Sequence, residues 1–135
     1  MTVSIPYDGL SAFIRTHCNL VVDMKLSGEG VVLVCFRHPK APSLELEVSM
    51  KVLPVQGKIL SVEYSTTGLV EELMRTSTSM FGSTFFDRVV SFDTRLKKMC
   101  ICLDNVSHLE KVLDYLLLER MSFDDKGVNL HGRLI

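Results

Sequence analysis

At 135 residues, with 47% hydrophobic and 23% charged residues, the chain has the size and composition of one globular domain and is far from a disordered or fibrous polymer. A formal net charge of −1 leaves no cationic excess for phosphates or an anionic membrane surface, which disfavours nucleic acid as a partner and argues against a membrane. The longest apolar run, Val31 to Phe36, is far too short to span a bilayer, and Met1 to Asp8 carries neither a basic region nor a long apolar stretch, so the expected location is cytoplasmic.

Along the chain, Asp8 is placed to cap a first helix in which Leu10, Phe13, Ile14 and His17 recur at helical spacing, ending near Cys18. The period then changes. Val22, Met24 and Leu26 alternate with Asp23 and Lys25, and Ser27 to Gly30 breaks the run before Val31 to Phe36, which predicts a hairpin whose second strand is covered on both faces. After Pro39 and Pro42, Leu44, Leu46, Val48, Met50 and Val52 alternate with polar residues, as do Leu60, Val62 and Tyr64 beyond a turn at Pro54 to Gly57. Four antiparallel strands in sequence make a meander.

Thr66 and Thr67 precede a helical spacing at Leu69, Val70, Leu73 and Met74, with Gly82 as its stop. Arg88 to Asp93 and Lys98 to Leu103 predict a second hairpin, and Ser107 to Glu110 has the spacing of a capping box ahead of Leu109, Val112, Leu113, Leu116 and Leu117. The expected fold is therefore α+β: an N-terminal helix, an antiparallel meander, a middle helix, a second strand hairpin and a long C-terminal helix. Residues 1–121 form the domain, and 122–135 a tail that is either loose or an added edge strand.

Chemistry-bearing motifs are missing. The chain has no Gly-x-Ser-x-Gly elbow, no phosphate loop and no dinucleotide turn, and Gly28-Glu29-Gly30 joins two strands without a following helix. Cys100 and Cys102 share one face of a strand but lack the Cys-x-x-Cys spacing of structural zinc, and four cysteines in a domain with a core of this size are expected to be free thiols. His17, His38, His108 and His131 are scattered, with no carboxylate or cysteine at ligand spacing in the same element. The expectation is a non-catalytic protein with no cofactor and no metal.

The order of elements resembles that of class I chaperones of bacterial type III secretion, over roughly residues 8 to 120. Leu69 to Met74 with Met80-Phe81-Gly82 is similar to that family's middle helix and its exit. Phe92 to Leu103 is similar to its final hairpin, and Leu109 to Leu118 to its closing helix. The resemblance implies a homodimer that holds an extended segment of a client protein. It places partner binding on the first helix and the sheet, at Leu10, Phe13, Ile14, Val22 and Met24, and the dimer interface at Leu69, Leu73, Met80, Phe81 and Phe85. Amphipathic strands without catalytic motifs point independently to protein binding through edges and apolar patches. The alternative is a small scaffold or adaptor subunit of a larger protein complex.

Overall fold

The computed structural model describes residues 1–38, 41–71, 88–106 and 109–135. Among them, strands predominate. β1 (Thr2–Pro6) leads into α1 (Tyr7–Cys18), followed by the meander β2 (Val21–Gly28), β3 (Val31–His38), β4 (Ala41–Val52) and β5 (Ile59–Thr66). A helical turn at 68–71 and another at 88–89 precede the hairpin β6 (Val90–Asp93) and β7 (Lys98–Cys102). A 3-10 turn at Leu103–Asn105, a short α2 (Leu109–Leu113) and the pair β8 (Leu116–Phe123) and β9 (Gly127–Leu134) complete the chain.

Two antiparallel sheets result, one six-stranded in the order β2-β3-β4-β5-β7-β6 and one three-stranded in the order β1-β9-β8. This corrects the expected α+β fold with a long C-terminal helix. The meander and the second hairpin are present, but α2 stops at Leu113 and the chain turns into β8 at Leu116. Leucines spaced for a helix continue into Leu116, Leu117 and Leu118, and β8 uses them differently: Leu118 is buried while Leu117 stays 39% exposed. Tertiary pairing overrides local helical propensity here. The tail is corrected too. Residues 127–134 are the central strand of the small sheet, neither a loose end nor an edge. The middle helix falls largely on 72–87, outside the described residues; its first turn is closed by the Thr67 hydroxyl, which accepts from the Val70 amide at 3.4 Å.

The inner face of the large sheet carries Val32, Val34, Phe36, Leu46, Val48, Leu60, Val62 and Tyr64, all buried. Tyr7, Cys18, Leu20 and Val70 cover one part of it. Leu113, Leu118 and Met121 cover the other, and Met50, Met99, Phe123 and Val128 touch both clusters, so the core is continuous. The outer face is wet: register sets Lys51, Glu63, Lys98 and Asp93 in one row of alternating charge across four strands. β3, expected to be covered on both faces, is covered on one, and its Val31, Leu33 and Cys35 are only half-buried. No disulfide joins any two of the four cysteines.

Two positions report on this packing. The Tyr64 side chain is 2% exposed and meets Phe92 edge-on at 6.0 Å, yet among the described residues its hydroxyl has no hydrogen-bond partner. An orphaned buried hydroxyl costs free energy, so Tyr64→Phe is expected to leave stability unchanged or raise it by about 1 kcal/mol in urea unfolding. Gly127 faces Pro6 in the register, and a Cβ there would be driven into the Ile5 carbonyl and lie 2.9 Å from the Pro6 Cα. Gly127→Ala is expected to destabilise by about 1–3 kcal/mol in the same assay, because the β1–β9 pair must separate to admit the methyl.

Candidate interaction surface

The expected partner-binding residues divide between core and surface. Ile14, Val22 and Met24 pack against the buried cluster beneath α1, and Leu10 is half-buried, so these apolar positions serve the fold first. Phe13 is 42% exposed on α1, its ring 4.3 Å from that of His17. Of the expected dimer residues, Leu69 is 58% exposed in the helical turn at 68–71, and Leu73, Met80, Phe81 and Phe85 lie outside the described residues.

Among the described residues a group of exposed apolar side chains lies elsewhere. Val112, Tyr115, Leu117, Leu134 and Ile135 are all exposed, Tyr115 at 72% and Ile135 at 85%. The backbone brings them to a corner at one end of the β8–β9 pair, with Leu117 on the pair's outer face and Leu134, opposite Leu116, on its inner face. The Tyr115 amide donates to Val112 at 3.1 Å, the Ile135 amide donates to Tyr115 at 3.1 Å, and Leu116 pairs with Leu134 in the β8–β9 ladder. This corner adjoins β8, an edge of the small sheet, which among the described residues is paired with β9 alone. An unpaired strand edge beside exposed apolar side chains can accept an added strand through its backbone and seat that strand's side chains in the corner.

The outer face of the small sheet is polar and tied across its strands. His131 stands at the centre of β9 with Thr2 Oγ1 3.0 Å from Nδ1 and Ser122 Oγ 3.2 Å from Nε2. A neutral imidazole donates from one nitrogen and accepts at the other, so β1, β9 and β8 are joined through one ring. Beside it the Ser4 hydroxyl donates to Asn129 at 2.7 Å, and Asn129 donates to the Asp124 carboxylate at 2.8 Å. Asp124 also accepts from the amides of Lys126 and Gly127 at 2.8 and 2.9 Å, closing the β8–β9 turn, while its carbonyl accepts from the Tyr7 hydroxyl. Burial, reinforced by the Asp124 and Asp125 carboxylates, pushes the Tyr7 hydroxyl up and keeps it a donor.

The order hydroxyl, imidazole, hydroxyl matches that of an activated nucleophile and its orienting group. Here it runs flat across a sheet face, with each hydroxyl on a different strand, and its evident effect is to fix strand register. Sequence reading missed this network because it placed Leu116 to Leu118 on a helix and left 122–135 unassigned. The available signal was alternation: Val128 and Leu130 inward, Asn129 and His131 outward. Among the described residues no group of three or more His, Cys, Asp or Glu side chains is placed to hold a metal ion, and no helix is long and apolar enough to cross a membrane. On the large sheet, burial with the added field of Glu47, Glu45 and Asp23 pushes the Cys35 thiol up, away from the reactive thiolate.

No family model, curated protein or solved structure matches the chain.

Asp124 offers a test of the turn. The Asn129 side chain and then the backbone amides of Gly127 and Lys126 hold its carboxyl below the ordinary value. A carboxylate with a depressed folded pKa stabilises above its unfolded pKa, and that contribution is lost as pH falls through the folded value. Asp124→Asn is thus expected to lower the melting temperature at neutral pH, with the difference shrinking as pH falls below about 4. A difference independent of pH would remove the charge from the account.

Proposed function

We propose that this chain is a non-catalytic protein-binding domain that holds an extended segment of a client protein, as a secretion-chaperone-like homodimer does. The observation that carries the reading is the β8 edge with its adjoining corner of Val112, Tyr115, Leu117, Leu134 and Ile135. The sheet edges support it more than the order of elements does, because the closing helix of the resembled family is replaced by strands.

An extended client adds as a strand along β8, where main-chain hydrogen bonds supply affinity in a sequence-tolerant way. Its alternate side chains fall on the apolar corner, whose burial contributes roughly 25 cal/mol per Å² removed from water. Glu119 and Arg120, both exposed on β8, add a preference for a client of mixed charge. Client release then needs only a strand to peel from an edge, with no rearrangement of the core.

Peptides of about ten residues with alternating apolar side chains, labelled for fluorescence anisotropy, test the reading. Binding by the full chain is expected, weakened roughly tenfold by Tyr115→Ser combined with Leu134→Ser, since exposed aromatic and aliphatic anchors carry most of such contacts. Failure to bind any alternating peptide would sink the client-holding reading.

A further inference from the structure

We infer that β2 is a homodimerisation edge, along which two copies of the chain pair antiparallel with the two-fold axis at Met24. The inference goes beyond the client-holding reading and stands without it, because it uses the opposite sheet. β2 ends the six-stranded sheet, so among the described residues its edge away from β3 has no strand partner. It spans Val21–Gly28, and the only shift in its pairing with β3 comes after Leu26.

Self-pairing about Met24 sets Asp23 against Lys25 of the second copy, Val22 against Leu26, and Met24 against its own counterpart. Side chains that face each other in an antiparallel pair lie on the same side of the sheet. On the inner side, Val22, Met24 and Leu26 pack against the core yet remain half-buried, and the partner's identical row covers what is left. On the outer side, Asp23 and Lys25 are exposed, and neither forms an ion pair among the described residues. In this register each acquires an opposite charge, twice per dimer.

The same charges exclude the neighbouring registers. A slip of two residues one way places Asp23 against Asp23 of the second copy, and the other way Lys25 against Lys25. A slip of one residue turns the apolar row to the wrong face. The remaining edges lack this self-complementarity. β6 has only four residues, and β1 has five and ends in Pro6. β8 carries a bulge between Leu118 and Arg120, and its inward Leu118 and Met121 are already buried. A pair of charges on an edge strand can also serve to repel added strands, and that reading requires the chain to stay monomeric.

The test is the mass of the full chain in solution, by sedimentation over a range of concentrations, with circular dichroism to confirm folding. Wild type is expected to be a dimer at about 100 μM. Asp23→Lys alone and Lys25→Asp alone each set like charges face to face at two places and are expected to weaken the dimer roughly tenfold or more. An equimolar mixture of these two variants restores both opposite-charge pairs and is expected to recover the dimer, as is the double variant Asp23→Lys/Lys25→Asp. In hydrogen exchange, β2 amides are expected to gain protection on dimerisation.

A wild-type monomer throughout, a dimer indifferent to either single substitution, or a mixture that fails to recover would each overturn the inference. A dimer whose β2 amides exchange as fast as in the monomer would do the same. Loss of peptide binding with the dimer intact would count against the client-holding reading and leave this one standing.

Discussion

Pairing between the two ends of the chain closes this molecule. β9 lies between β1 and β8, and the Met1 ammonium and carbonyl exchange hydrogen bonds with Gly132 at 2.9 Å. The large sheet cannot bury its own inner face, since a sheet with one apolar side needs a second layer. Half of that layer is α1, attached directly to β2. The other half is the β8–β9 pair, whose Leu118, Met121, Phe123, Val128 and Leu130 reach the core together, with β1 paired along the far side of β9. The close approach at Gly127 and the His131 bridge are local conditions of that pairing.

Edges follow from the same arrangement. Among the described residues, the two open sheets present four edge strands that differ from one another. β6 is short and β1 ends at a proline, both ordinary ways of blunting an edge. β8 is bulged in mid-strand and borders an apolar corner, while β2 pairs regularly with β3 up to Leu26, alternates and carries one charge of each sign at Asp23 and Lys25. A bulged edge suits varied extended segments held loosely, and a regular alternating edge suits one defined register. The two proposed contacts, one with a second copy and one with a client, thus fall on separate sheets.

The meander was legible because its apolar residues alternate: Leu46, Val48, Met50 and Val52, then Leu60, Val62 and Tyr64, face the core, and period two identifies a half-buried strand. The second hairpin was legible for the same reason, with its turn held where the Asp93 carboxylate accepts from the Arg95 and Leu96 amides. The region from Leu109 to Leu118 was misread because its leucines satisfy a helical period as well as they satisfy a strand, and only the long-range partner β9 decides between them. That partner was hidden in turn, because Gly127 and Gly132 read as loop residues. They are glycines because the Ile5 and Leu117 carbonyls lie where a Cβ would be. Of the candidate site, the alternation of Val22, Met24 and Leu26 with Asp23 and Lys25 could be read from sequence, whereas the place of β2 at the end of its sheet follows only from the strand order. The corner at Tyr115 and Ile135 could not be read, since it depends on β8 and β9 being adjacent.

Placing the last strand in the middle of the small sheet orders events during folding. β2 to β5 pair with near neighbours, close short loops and can form as soon as they are synthesised. β1 precedes the meander but pairs with β9, so the loop it closes encloses every element between them. Until that loop closes, α1 and the apolar strand of β8 are only partly covered, and the nascent chain carries a transient adhesive surface of the kind that invites premature association. Cooperativity is therefore concentrated at the β1–β9–β8 pairing, the contact of longest sequence separation and the last to lock into place.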